Sequence, residues 1–231
     1  MIPHDNLPTH ALNYPRRCAD FVHGARQGAT GGRALDLGCS VGRSTLELAR
    51  GFDDVVGIDF SQAFVTAAEA VRVSEPSDPL TFSLTSEGST VQQGFPAVVP
   101  SELDADVRAK CSFEVGDACA IRPDIGTFDA VLMANLICRL PQPMSLLERL
   151  PSLVNPGGVL VFTTPFSWLE EYTPRENWFG ENGEESFDVM RAVLEKNGFT
   201  LEERFPVPLL IREHRRKYQY IVADGTVWRK Q

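Results

Sequence analysis

Short apolar runs alternate with amphipathic stretches along most of this chain, the pattern of βαβ units feeding a mostly parallel sheet. The apolar runs predict strands at Arg33–Leu37, Asp54–Asp59, 112–116, Phe128–Ala134 and 158–164, and two late ones at 199–205 and 218–228. Helices are expected between most of them, at 12–26, 43–50, Gln62–Val73, 143–154 and 184–197. In the last of these, Phe187, Met190, Val193 and Leu194 recur at helical spacing, and Asn197-Gly198 is a stop signal. The late strand pair suits an antiparallel hairpin closing the sheet. The stretch 74–110 breaks the rhythm. Rich in Pro, Ser, Gly and acids, it carries the alternation Leu80-Thr81-Phe82-Ser83-Leu84 and reads as an insertion bearing a small hairpin. The expectation is one α/β domain over 1–231, with a mostly parallel seven-stranded sheet and helices on both faces.

With 231 residues and 43% hydrophobic content the chain can bury one sizeable core. Its formal net charge of -9 would repel nucleic acid or an acidic bilayer, which leaves a small molecule as the simpler partner. The cysteines Cys18, Cys39, Cys111, Cys119 and Cys138 form no CxxC pair and are odd in number, as expected of a protein in a reducing cytoplasm. The opening MIPHDNLPTH lacks a basic stretch followed by an apolar run, and no run of about 18 apolar residues occurs, so neither a signal peptide nor a membrane span is expected. His4, His10, His23 and His214 show no ligand spacing, so no metal is expected either.

Candidate chemistry begins at Ala34-Leu35-Asp36-Leu37-Gly38-Cys39-Ser40-Val41-Gly42-Arg43, a glycine-bearing turn between a strand and a helix, where backbone can approach a ligand. A second apolar strand, Val55-Val56-Gly57-Ile58-Asp59, ends in a carboxylate able to accept both hydroxyls of a ribose. Val115-Gly116-Asp117-Ala118 puts a further acid at the next strand end, where it can receive the exocyclic amine of adenine. Each acid alone would be an ordinary turn or cap residue; three at consecutive strand ends make a nucleoside clamp. Gly38, Ser40 and Gly42 also spell the G-x-S-x-G elbow of α/β-hydrolases, but the only downstream histidine is His214, within a basic run, and no HGGG-type oxyanion segment precedes the turn. A nicotinamide enzyme would call for G-x-G-x-x-G, which is absent here. Asp36, just before the turn, suits a cofactor with an amino-acid tail.

Asp36-Leu37-Gly38-Cys39-Ser40-Val41-Gly42, Gly57-Ile58-Asp59-Phe60-Ser61, Gly116-Asp117-Ala118 and Asn155-Pro156-Gly157-Gly158 resemble, in order, the motifs of class I S-adenosylmethionine (SAM)-dependent methyltransferases, with Ser40 in place of the common middle glycine. That resemblance implies a Rossmann-like fold. It also implies a SAM site drawn from Asp36, Gly38, Cys39, Ser40, Gly42, Arg43, Asp59, Phe60, Ser61, Phe64, Asp117, Ala118, Cys119 and Asn135. Three further stretches, at 134–141, 164–178 and 210–218, resemble a narrower family, the stand-alone form of the 5-thiohistidine (4-mercaptohistidine) N-methyltransferase of ovothiol biosynthesis. What this implies is methylation of an imidazole nitrogen of 5-thiohistidine, giving ovothiol A and S-adenosylhomocysteine (SAH).

Transfer of a methyl from a sulfonium asks the protein mainly for alignment. Asn135, at the end of the Phe128–Ala134 strand, can hold a ring nitrogen or an amino group, and cations among Arg139, Arg175, Arg212 and Arg215 can grip a carboxylate. Phe166, Trp168, Tyr172 and Trp178 suit a pocket wall or lid whose aromatic faces attract a sulfonium. Glu170, Glu171 or Tyr172 could act as a base if one is needed. Tyr14 resembles a family residue near the cofactor.

Overall fold

The computed structural model describes residues 8–75 and 77–231. Strands β1 (Arg33–Leu37), β2 (Asp54–Asp59), β5 (Cys111–Val115), β6 (Phe128–Ala134), β7 (Val154–Thr164), β8 (Phe199–His214) and β9 (Lys217–Lys230) form one seven-stranded sheet in the order β5-β2-β1-β6-β7-β9-β8. Neighbours from β5 to β7 are parallel, and β9 pairs antiparallel with both β7 and β8. Strand order reverses between β1 and β6, the place where sheets of this kind open a crevice at their carboxyl ends. The hairpin of the insertion, β3 (Thr81–Glu87) with β4 (Thr90–Pro96), stands as a separate two-stranded sheet.

Alternation along the strands divides the core by face. Leu35, Leu37, Val56, Ile58, Val131 and Met133 pack against α5 (Pro143–Arg149) and α6 (Ser186–Lys196). Ala34, Val55, Ala130 and Leu132 face α1 (Tyr14–Ala25) and α2 (Arg43–Leu48). α3 (Gln62–Val73) begins at Ser61, whose hydroxyl caps the helix by accepting the Phe64 N–H at 3.3 Å. Among the described residues no helix is long and apolar enough to cross a membrane.

Several boundaries differ from the sequence expectation for local reasons. The helix expected over 12–26 starts two residues later, as α1, with a 3-10 turn, Thr9–Ala11, ahead of it, because Asn13 takes a left-handed backbone (φ 53) and Pro15 opens the helix. The helix over 143–154 stops at Arg149 and tightens into a 3-10 turn, Leu150–Ser152, since Pro151 brings no N–H to continue it. β7 starts four residues early, with an irregularity in its pairing to β6.

The largest difference lies in the late hairpin. Its strands run far past the expected 199–205 and 218–228. From Val207↔Ala223 to His214↔Lys217 they project beyond Thr164, where β7 ends against Asp224. Pro206 and Pro208 punctuate the sequence like breakers, yet β8 is the edge strand, where proline is tolerated. The insertion meets this projection: the Arg215 N–H donates to the Ser86 carbonyl (3.1 Å), and Glu87 pairs with Arg215 (3.3 Å) and Arg216 (3.5 Å). The insertion also holds a short helix, α4 (Ala105–Arg108), whose buried Arg108 donates to the carbonyls of Leu103, Arg72 and Ser74 and so closes the end of α3.

Candidate active site

A cavity of about 750 Å³ opens at the carboxyl ends of β1, β2, β5 and β6. One end is made by the strand-end turns. Gly38 ends β1 with φ 74, and its N–H donates to the Ile58 carbonyl (2.8 Å). A Cβ there would lie 2.9 Å from the Leu136 side chain, so glycine is required both by the left-handed backbone and by close packing. Ser40, also left-handed (φ 51), donates its N–H to Asp59 Oδ2 (2.9 Å), and Ser61 N–H donates to Asp59 Oδ1 (2.9 Å). Asp59 thus ties two turns together, and each of its oxygens keeps a lone pair for a ligand hydroxyl. Asp117 Oδ1 accepts the Cys119 N–H (2.8 Å) in a tight turn that aims the carboxylate toward the same cavity. Phe60 is 79% exposed at the rim with Phe64 beside it, an apolar surface for a flat ring.

The other end comes from β6 and from the segment after β7. Asn135 is left-handed (φ 56), its N–H bound to the Thr163 carbonyl (2.7 Å). Arg139 donates through Nη1 to the carbonyls of Cys138 (2.9 Å) and Ser167 (2.6 Å), and its guanidinium lies 5.1 Å from the Tyr172 ring centroid. Glu171 and Tyr172 close the cavity beside it.

The structure therefore brings together Gly38, Ser40, Asp59, Phe60, Ser61 and Phe64 with Asp117, Ala118, Asn135, Arg139 and Tyr172. Other expected site residues stand elsewhere. Asp36 is 1% exposed on the α2 face of β1, where it accepts the Thr45 hydroxyl (2.7 Å) and does not line the cavity; burial pushes its carboxyl up to about 7. Cys39 is buried, with its thiol pushed upward by desolvation. Gly42 serves packing, since a Cβ would lie 2.6 Å from Phe113, and Arg43 turns along α2 to Glu47 (2.6 Å). Cys119 leaves the cavity side to its neighbours and points its thiol at the Gln142 carbonyl (3.4 Å).

The arginines part company for a physical reason: cations near acids are neutralised locally. Arg175, 63% exposed, pairs with Glu181 (2.8 Å), and Arg215 with Glu87 at the far hairpin. Arg212 is exposed on β8 opposite Tyr218. Trp168 and Trp178 do not line the cavity: their indole N–H groups donate to Ser186 Oγ (3.0 Å) and the Thr173 carbonyl (2.8 Å), which pins the segment behind it. Phe166, left-handed at φ 48, packs against the core there. Tyr14 sits behind Asn135, its hydroxyl 2.5 Å from Thr163 Oγ1, and desolvation holds its pKa well above the ordinary value. Sequence reasoning gave no role to Thr45 and Thr163, because a hydroxyl that anchors a distant side chain has no local signature. His214 lies at the hairpin tip bonded to the Arg216 N–H (3.2 Å), away from Ser40, so the hydrolase reading of the elbow has no base. Among the described residues no three His, Cys, Asp or Glu side chains gather to hold a metal ion.

A doubly wound sheet with strand-end carboxylates around a switch-point cavity is the arrangement of a Rossmann-like methyltransferase, and a family model described as a methyltransferase domain matches residues 10–204. The chain belongs to this family, that of class I SAM-dependent methyltransferase domains. It is similar to a ubiquinone biosynthesis O-methyltransferase of Xanthomonas campestris pv. campestris (32% identical over 157 residues, 68% of this chain and 52% of the relative). It is also similar to a magnesium-protoporphyrin O-methyltransferase of Rhodobacter capsulatus (30% over 156 residues, 64% and 55%). The chain spans about half the length of these curated relatives. The solved magnesium protoporphyrin IX methyltransferase of Synechocystis PCC 6803 with bound SAM shares the fold at TM-score 0.55 and 16% identity, covering 94% of this chain and 79% of that one. The [4+2]-cyclase SpnF shares it at TM-score 0.58 and 16% identity, covering 93% and 81%. A thiohistidine acceptor, implied by the sequence resemblance, is not among the substrates these names state.

Proposed function

We propose that this chain transfers the methyl group of SAM to a small imidazole or thiol metabolite held beside Asn135, Arg139 and Tyr172. The observation behind this reading is that one cavity is continuous from Asp59 and Asp117 to Asn135, Arg139, Glu171 and Tyr172. The residues present suit the cofactor: Asp59 for the ribose hydroxyls, Asp117 for the adenine amine, Phe60 and Phe64 for the ring face, and the turn at Gly38 for close backbone approach. When bound, SAM supplies a sulfonium methyl that a lone pair displaces, leaving SAH. The protein's part is to hold the nucleophile in line.

At the acceptor end, Arg139 bonds to carbonyls rather than carboxylates, so its remaining donors suit an anionic group on the acceptor. Glu171 can receive a proton released after transfer. A neutral imidazole nitrogen attacks unaided, which suits these surroundings better than a phenol that must first be deprotonated. Within this class, 5-thiohistidine methylated on a ring nitrogen is the acceptor that the 134–141, 164–178 and 210–218 resemblances favour. Oxygen acceptors, suggested by the relatives' names, are the competing reading.

The test is SAM turnover by purified protein, followed as SAH release and as product mass, across 5-thiohistidine, other imidazoles and thiols, and a quinol. A methylated azole or thiol is expected. Brisk turnover of the quinol alone would overturn the acceptor class and leave the methyltransferase intact.

A further inference from the structure

Among the described residues, two buried side-chain oxygens lack a hydrogen-bond partner, Glu47 Oε2 and Asn135 Oδ1. The first lies 2.9 Å from Arg50 Nε and is charge-compensated. Asn135 Oδ1 has no such relief. An amide oxygen shielded from water and left unpaired is costly, and in a native site it marks a place where a ligand supplies the missing donor. Asn135 lines the cavity, and its backbone is fixed by the bond to Thr163 in a left-handed conformation that asparagine tolerates and most residues do not. The Oδ1 atom itself is shielded in this structure, and rotation of the amide about its broad terminal torsion is what would bring it to a donor in the cavity.

We propose that Asn135 Oδ1 accepts an N–H from the methyl acceptor and thereby selects azoles, in which the donor and the attacking lone pair are different atoms of one ring. This rests on the methyltransferase reading above. A neutral azole held this way keeps its pyridine-type nitrogen free. That lone pair forms the bond to the methyl carbon while the C–S bond breaks and its electron pair returns to sulfur. The resulting azolium then loses its N–H proton to water or Glu171, giving a neutral N-methyl azole. A phenol gains little from the arrangement, since its oxygen becomes a strong nucleophile only on losing the donated proton, and an amide oxygen is no base for it.

The probes are imidazole and 1-methylimidazole, alike except for the N–H, titrated by calorimetry into SAH-saturated protein at about pH 8.5, where both are neutral. Imidazole is expected to bind about tenfold tighter. Asn135→Gly, which suits the left-handed backbone, removes that preference, and Asn135→Asp, which keeps an acceptor oxygen, retains it. Equal binding of the two probes to the unaltered protein, or a preference surviving in Asn135→Gly, overturns the proposal. Failure of the unaltered protein to bind SAH at all would instead overturn the cofactor reading, and the probe comparison then decides the Asn135 role on the protein alone.

Discussion

The two ends of the cavity are built differently. At the cofactor end, Asp59 and Asp117 accept backbone N–H groups of their own turns, Ser61 and Cys119 lying two residues on, and Asp59 also accepts that of Ser40 from the neighbouring strand-end turn. At the acceptor end, besides a local bond from Arg139 to the Cys138 carbonyl, side chains reach across to other segments: Arg139 to Ser167, Thr173 to the Leu140 carbonyl (2.7 Å), Asn177 to the Pro141 carbonyl (2.8 Å). A site made of strand-end turns is assembled by the fold itself. A site made of packed loops can be retuned by changing one loop, which is how a shared fold comes to serve different acceptors.

The sharpest way to break this contrast is Asp59→Ala. It removes a ribose partner and the tie between two turns, and should weaken SAM by about 2–3 kcal/mol, read by calorimetry; an unchanged dissociation constant refutes the assignment. Asp36→Asn separates the buried acid from the ligand-facing ones. The folded-state pKa of Asp36 lies near 7 against an ordinary 3.8, so the folded form penalises the charge and stability falls as pH rises between those values. The Asn variant, which does not titrate, should be the more stable one above pH 7, by on the order of 4 kcal/mol, and the gap should shrink toward pH 4 in denaturant titrations. Arg139→Met should raise the acceptor KM about tenfold with SAM affinity unchanged; a matching loss of SAM binding would merge the two ends into one. The smallest effect is expected of Arg175→Ala, whose exposed pair with Glu181 contributes less than about 0.5 kcal/mol and whose loss should leave the acceptor KM in place.

The same contrast explains what was readable beforehand. Gly38, Asp59 and Asp117 could be placed because strand ends and turn glycines have short-range signatures. Arg175, Arg212 and Arg215 looked equivalent to Arg139 as cations, and nothing in their spacing showed that Glu181 and Glu87 take up two of them or that Arg212 sits out on a projecting hairpin. Asp36 shares a motif with the ligand turn but points to the opposite face of β1, a consequence of strand alternation that places it with Ala34 against α2 rather than with Leu37.

Sequence by itself determined the α/β alternation, the seven strands, the insertion and the strand-end position of Asp59 and Asp117, because each depends on hydrophobic period or on backbone geometry within a few residues. Only the tertiary structure decided which cation reaches the cavity, that the late hairpin extends past the sheet to meet the insertion, and that Asn135 holds an oxygen with no partner. Those outcomes depend on which distant groups become neighbours, and charge pairing and burial are set by neighbours rather than by sequence spacing.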